Sequence, residues 1–391
     1  MTGRASPSIA TADGTARFAA RAVASGIPAA SYRALGRTGL AVSSLGFGCY
    51  RIDDQAPAHS AALTKALAEG VNLIDTSTNY TDGASERCVG QVMARHPRDE
   101  ILVVSKVGYV QGQALALAHS REQAGTPFAE MVKYADHCWH CIHPEFIADQ
   151  LGRSLQRLAL PKIDVYLLHN PEYFFTDAVK RGDARPIGNL REEFDSRIRR
   201  AFTHLEREVA DGRIAWYGVS SNSFGDPLTD PEATQLGRMW AIAREITPAH
   251  HFAVVQLPAN LFERGPMLER NNSGATQTAI EFARAQGFGV LVNRPLNAHY
   301  RDRLVRLADA PSGPIAETLS AIAARIDKFL PETVRSETLS RKALAVLANT
   351  AGVTCVLNGM RTTAYVDDSL GVLRIAPFLV DERLYRAMGP A

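Results

Sequence analysis

The chain reads as an α/β protein: a closed (β/α)8 barrel of the TIM type, preceded by a β-hairpin and carrying long βα loops. Three observations predict it. Short apolar runs rich in β-branched and aromatic residues recur eight times along 391 residues, each nearly continuous, as parallel strands covered on both faces are. Amphipathic stretches bounded by helix start and stop residues separate them. No G-x-G-x-x-G follows an early strand, which weighs against an open doubly wound sheet, a fold that usually has fewer strands.

Taken in order, residues 1–30 carry Arg4, Arg17 and Arg21 against only Asp13 and are rich in Ala and Ser. They are expected to be a mobile or loosely docked extension, with an organelle-targeting segment as the less favoured reading. Residues 31–391 are expected to form one domain. The stretch Tyr32 to Ser43, with a Gly-bearing turn inside alternating residues, reads as a hairpin plugging the barrel bottom. The strand candidates are 43–49, 71–75, 101–106, 163–169, 214–220, 252–257, 288–293 and 353–357. Helical windows lie between them, such as 58–70, 144–160 and 276–287, with Pro144 at a first turn and Gly70 and Gly287 at stops. Two connections, 107–143 and 170–191, are long enough to carry function or structure of their own. Both follow strands, so both belong to the rim where barrels place their chemistry.

Composition excludes several classes. With 43 basic and 41 acidic residues, a formal charge of +2, the chain shows neither a nucleic-acid footprint nor an anionic-membrane surface. No apolar run approaches the length of a membrane helix. Five cysteines make no disulfide framework, so a reducing, cytoplasmic setting is expected. The sequence sets no oligomeric state.

At the ends of the second, third and fourth strands stand Asp75, Lys106 and His169, with Tyr80 in the loop after the second. A lone acid, lysine or histidine at a strand end is as often a satisfied loop residue as a functional one; four at successive ends are complementary. A nearby ammonium stabilises a phenolate and lowers the phenol pKa, so Lys106 is expected to lower that of Tyr80, and Asp75 to keep the lysine charged. His169 is expected to donate to a substrate oxygen from the other side. Such a set suits protonation of an oxygen gaining negative charge, as a carbonyl does when hydride reaches its carbon.

The segments GVNLIDTSTNYTDGASERCVG, ILVVSKV, IDVYLLHNP, WYGVSSNSF and VVQLPANL, in that order, resemble the aldo-keto reductase family. YRALGRTGLAVSSLGFGCYRI is similar to its N-terminal hairpin and first strand. The resemblance runs from about Tyr32 to Leu373, with the two long loops unmatched. It implies a catalytic tetrad of Asp75, Tyr80, Lys106 and His169, with Tyr80 as proton donor to the carbonyl. It also implies a nicotinamide cofactor lying across the barrel top, with NADP(H) favoured and NAD(H) possible. Gly48, Cys49 and Tyr50 at the first strand end are implied cofactor contacts. Ser220, Asn222 and Gln256 match the residues that hold the carboxamide; because GVSSNSF is one residue longer than the commoner form, that contact falls to either Ser221 or Asn222. Asn293 takes the place of an aromatic that stacks on the nicotinamide, and Arg294 is placed to reach the diphosphate. At the adenosine end, Gly359 stands where a lysine is common and Tyr365 where an arginine is. Arg361 remains for a 2′-phosphate, and Asp368 matches an acidic residue near the adenine. The implied partner is a small carbonyl or sugar substrate. The alternative is a nicotinamide-binding regulatory protein with little turnover, as some members of the family are; an intact tetrad favours catalysis.

Two motifs are set aside. HCWHCIH, at 137–143, contains C-x-x-C, but no second ligand pair follows, so no metal site is expected and the segment reads as a loop lining the substrate pocket. The charge-dense stretch 191–213 reads as a solvated helix face.

Overall fold

The structure, a computed structural model, describes residues 8–300, 303–307 and 314–389. Eight parallel strands close into a barrel: β1 (Leu45–Gly48), β2 (Leu73–Asp75), β3 (Leu102–Val107), β4 (Ile163–His169), β5 (Ile214–Ser220), β6 (Phe252–Pro258), β7 (Gly289–Asn293) and β8 (Cys355–Gly359). Each neighbours the next, and β8 pairs with β1. All eight predicted strands are present, with ends moved by at most two residues, within the usual uncertainty of strand limits.

The near-continuous apolar character of the strands has a direct cause. Successive side chains alternate between the barrel interior and the helix layer, and both are dry. Leu73, Leu102, Val104, Val165, Leu167, Val254, Leu291 and Leu357 fill the interior. Their neighbours Ile74, Val103, Tyr166, Leu168, Val255 and Val292 pack outward against the helices. Leu35, Leu40 and Val42 of the hairpin (Tyr32–Ala34 with Ala41–Ser43) join the interior cluster and close the bottom, as expected. Gly36 allows this approach: its φ is +51°, and a β-carbon would lie 2.3 Å from the Gly289 nitrogen.

The same parity positions the site. Asp75 follows Leu73 by two, Lys106 follows Val104, His169 follows Leu167, Gln256 follows Val254 and Asn293 follows Leu291. Each therefore points into the barrel one layer above a core residue, at the C-terminal rim. Register completes the ring: Ser220 pairs with both His169 and Gln256, and Gly48 with Asp75.

The N-terminal segment differs from the expected mobile extension. Over Ala12–Ala24 it is a helix capped by the Thr11 side chain on the Gly14 N–H. Phe18 and Ala22 are buried, Arg21 forms a forked pair with Glu100, and the Ala10 N–H donates to Asp164 at 2.7 Å. Compositional bias toward Ala hid an amphipathic face only two or three side chains wide. Arg4 lies outside the described residues.

Both long connections carry structure of their own. The first holds a helix, Gly112–Gln123, and a small antiparallel sheet of Tyr109–Val110, Cys138–His140 and Val132–Ala135. The second holds the helix Tyr173–Lys180. Most of the charge-dense stretch lies in a 24-residue helix, Ile187–Ala210.

Candidate active site

Lys106 lies at the centre of the rim, fully buried, and its ammonium has three acceptors: Asp75 Oδ2 at 2.8 Å, the Thr76 carbonyl at 2.9 Å and the Tyr80 hydroxyl at 3.0 Å. Burial works against this ammonium, yet Asp75 and Tyr80 more than compensate and hold it above the ordinary lysine value. Burial likewise raises the Asp75 carboxyl, against the pull of Lys106 and of the Gln256 amide. An ion pair with every donor satisfied is the form in which such a buried couple is stable.

Tyr80 opens a short turn, Tyr80–Gly83, in which Thr81 and Asp82 both adopt positive φ, +48° and +50°. The Thr81 hydroxyl donates to the Ile52 carbonyl and Asp82 Oδ1 accepts from the Gln113 N–H, so the strained backbone is held from two sides. This geometry turns the half-buried phenol back over the barrel to Lys106. Burial raises the phenol above its ordinary value despite the lysine. Lys106 pulls the phenol down, as expected, but burial acts more strongly in the opposite direction.

His169 ends β4, buried, between the rings of Tyr109 (4.7 Å between centroids) and Tyr80 (6.0 Å). Burial, and then Lys106 and His140, depress it well below the ordinary imidazole value, so it is neutral. Its Nδ1 meets Ser77 Oγ at 3.2 Å. Ser77, Asn79 and Gln111 were not singled out by sequence reasoning. The only signal was the polar run TSTN before Tyr80, which resembles any Asx- and Ser-rich turn.

Around this group, Gln256 accepts from Ser220 Oγ (2.9 Å) and from Asn293 Nδ2 (3.3 Å) and donates to Asp75 Oδ1 (2.8 Å). The Asn293 Oδ1 is buried without a partner. Ser221 is tied into a hydroxyl cluster with Ser223 and Thr234, whereas Asn222 is exposed, with its backbone N–H held by Glu172 Oε1 at 2.7 Å. The Glu172 carboxyl is buried, and burial pushes it up to about 7.

The other predicted positions are spread around the rim. Gly48 pairs with Gly359 of β8. The Cys49 thiol is sealed in the core, while Tyr50 is 62% exposed and meets the Tyr80 ring edge-on at 5.2 Å. Arg294 is engaged by Glu263 at 2.7 Å and has φ +53°. Asp368 is paired with Arg341 at 3.0 Å. Arg361, just before the helix Thr363–Leu370, is exposed and, among the described residues, unpaired.

The 137–143 cluster divides its roles. His140 Nε2 meets the His169 carbonyl at 2.7 Å and its ring stacks on Tyr173. His143 caps the helix Pro144–Leu158, and Cys138 and Cys141 are buried. Among the described residues, no group of three His, Cys, Asp or Glu side chains is placed to hold a metal.

An open cavity of about 370 Å³ beside the phenol is lined by Tyr50, Arg51, Asn79, Tyr80, Thr81 and Gln111. The fold and site thus define a (β/α)8 barrel with a hydrogen-bonded Asp75, Lys106 and Tyr80 on its C-terminal rim. The chain belongs to the aldo/keto reductase family, whose model matches residues 44–383. It is 32% identical over 145 residues to an NADH-specific methylglyoxal reductase of Escherichia coli (strain K12), covering 34% of this chain and 40% of that protein. It is 28% identical over 199 residues to a D-threo-aldose 1-dehydrogenase of a Pseudomonas species, covering 49% and 53%. The chain thus matches about half the length of these relatives. Among solved structures, a glycerol dehydrogenase from Gluconobacter oxydans superposes with a TM-score of 0.60 at 20% identity, covering 92% of this chain and 94% of that one. An aldo/keto reductase from Klebsiella pneumoniae, in complex with NADP and acetate, gives 0.55 at 20%, covering 91% and 95%. At these identities the likeness is one of fold. Among the described residues, no helix is long and apolar enough to cross a membrane.

Proposed function

We propose that the protein is an oxidoreductase that interconverts a carbonyl compound (aldehyde, ketone or sugar) and an alcohol by hydride transfer with NAD(P)(H). The observation that carries this reading is the bond from Lys106 Nζ to the Tyr80 oxygen. An ammonium can only donate, so the phenol oxygen accepts there and its own hydrogen is free to point into the cavity. A nicotinamide, when bound, supplies hydride to the carbonyl carbon. Tyr80 passes its proton to the carbonyl oxygen, and Lys106 stabilises the phenolate left behind. Asp75 keeps Lys106 charged.

The residues present suit such a cofactor. The partnerless Asn293 Oδ1, beside Ser220 and Gln256, gives a set of amide-recognising groups next to the proton donor. These three, with the exposed Asn222, would hold the carboxamide, with Gly48, Cys49 and Tyr50 forming the wall at the end of β1. Arg294 would serve the diphosphate; Arg361, Gly359 and Asp368 would serve the adenosine end. The unpaired guanidinium of Arg361 favours NADP(H), since a planar fork matches a 2′-phosphate. A cytoplasmic location belongs to the same reading, supported by five unpaired cysteines.

Fluorescence titration with NADPH and NADH, on the parent and on Tyr80→Phe, tests the proposal. Both proteins should bind a cofactor, and only the parent should oxidise it with a panel of aldehydes and sugars. Binding without turnover in the parent would shift the reading to a regulatory, nicotinamide-sensing protein.

A further inference from the structure

The turn that carries Tyr80 is fastened to the first long connection on both sides of the phenol. Asn79, just before it, donates from its amide nitrogen to Gln111 Oε1 at 3.0 Å. Asp82, just past Thr81, accepts the Gln113 N–H on Oδ1 at 3.0 Å. Gln111, Gly112 and Gln113 are consecutive and open the 12-residue helix Gly112–Gln123. Gly112 lets the two elements meet: its φ is +52°, and a β-carbon there would lie 2.3 Å from Asp82 Oδ1.

This helix does not cap its own N-terminus. Gln111, at the N-cap position, directs its side chain to Asn79, and the first turn holds no acidic residue. The first N–H groups of a helix have no partner within it and carry positive polarity. Asp82 brings, from another element, both the acceptor and the negative charge that this end calls for. The helix is in turn a firm support. Ala118 is buried, Leu115 and Leu117 pack on the core, and His119 meets Trp139 edge-on at 4.5 Å. Trp139 belongs to the small sheet of the same connection, whose His140 meets the His169 carbonyl at 2.7 Å. The connection thus spans the rim from the end of β4 to the turn of Tyr80.

We propose that Asp82 is a positioning residue: by capping the helix of the first long connection it fixes the left-handed turn after Tyr80, and with it the place of the Tyr80 hydroxyl over Lys106. This rests on the reading of Tyr80 as proton donor and assigns the part that holds it. Successive left-handed residues other than glycine are strained and persist only where their surroundings enforce them. Thr81 is held by the Ile52 carbonyl and Asp82 by the helix. Released from the helix, the turn relaxes toward ordinary backbone angles and carries the adjoining phenol with it. The connection therefore acts on proton transfer, besides lining the cavity through Gln111.

The test compares two variants of the full chain. Asp82→Gly accepts the positive φ without strain but removes the acceptor. Asp82→Asn keeps an acceptor oxygen on a side chain that tolerates the left-handed region. With saturating NADPH, kcat for aldehyde reduction should fall about a hundredfold in Asp82→Gly, the scale of a misplacement of about one ångström, while NADPH affinity by fluorescence titration stays within a factor of two. Asp82→Asn should recover most of the rate. An unchanged kcat in Asp82→Gly, or a loss that Asp82→Asn does not recover, overturns the proposal. The phenol is also read without turnover, from the ¹⁹F spectrum of protein labelled with 3-fluorotyrosine, in which the Tyr80 signal is the one lost in Tyr80→Phe. That signal should shift in Asp82→Gly and return to the parent position in Asp82→Asn; an unmoved signal overturns the positioning role. Absence of turnover in the parent on every carbonyl would sink the reductase reading alone, because the ¹⁹F spectra would still decide whether Asp82 holds the phenol.

Discussion

Gln256 and Asp75 are joined at 2.8 Å, amide nitrogen to Oδ1, while Lys106 holds the other carboxylate oxygen at the same distance. Both acceptors of a buried acid are thus occupied, one by Lys106 and one by a residue of the proposed carboxamide site. The two halves of the site share a carboxylate, and this coupling yields the first prediction. Gln256→Leu leaves Asp75 Oδ1 buried without a donor, at a cost of about 1–3 kcal/mol. Calorimetry should show a melting temperature lowered by a few degrees, and fluorescence titration a weaker cofactor complex. An unchanged melting temperature would mean that the bond contributes nothing to the fold.

The direction of the Tyr80 shift sets the pH dependence. Desolvation raises the phenol, so the proton-bearing form persists through and beyond neutral pH. Carbonyl reduction should therefore be flat from about pH 6 to 9 and fall only above the ordinary phenol value near 10. Lys106→Met removes the charge that stabilises the phenolate formed as the proton leaves, and should lower kcat/KM for reduction by at least about a hundredfold across that window. A midpoint near pH 7 in the parent's reduction profile would contradict the neutral-phenol assignment.

Glu172 gives a stability prediction with a definite sign. Its folded value of about 7 lies above the unfolded 4.5 because burial penalises the carboxylate. Between those values the folded chain keeps a proton that the unfolded chain releases, so stability falls as pH rises from about 4.5 to 7 and stays reduced above it. The full difference is about 3 kcal/mol. Glu172→Gln keeps an acceptor for the Asn222 N–H but carries no charge, so at pH 8 it should melt several degrees above the parent and at pH 4.5 about level with it. Equal gaps at the two pH values would rule out the carboxylate as the cause.

How far the sequence carried can be traced to particular residues. Parity and register lie in the one-dimensional pattern, so the strand-end positions of Asp75, Lys106, His169, Ser220 and Gln256 were legible before any coordinates. Tyr80 was legible as a residue but not in its ionisation: a sequence shows a lysine nearby, not how much water the fold removes. Ser77, Asn79 and Gln111 were not legible, because Gln111 sits 32 positions from Asn79 and His169 sits 92 from Ser77, and no local pattern links them. The docked N-terminal helix was missed for a related reason. Its partners, Asp99, Glu100 and Asp164, belong to elements that meet it only at the barrel bottom.

Arg361 decides the cofactor prediction. It stands at the helix start after β8, exposed and with no acidic partner among the described residues, whereas Arg294 is taken by Glu263 and Arg341 by Glu337 and Asp368. A cation already paired must give up its partner to meet a phosphate; an unpaired one need not. The helix N-terminus adds favourable polarity for an anion, and the Thr362 side chain already caps the Tyr365 N–H. The 2′-phosphate is the group that distinguishes NADPH from NADH, so a residue serving it acts on one cofactor only. Arg361→Ala should weaken NADPH binding about tenfold, as expected for a lost charge-assisted bond at an exposed site, and leave NADH binding within a factor of two. Raising the ionic strength should narrow the parent's preference for the same reason, since screening acts on that contact. Equal weakening of both cofactors would instead place Arg361 on the shared diphosphate, and no change in either would remove it from the cofactor site.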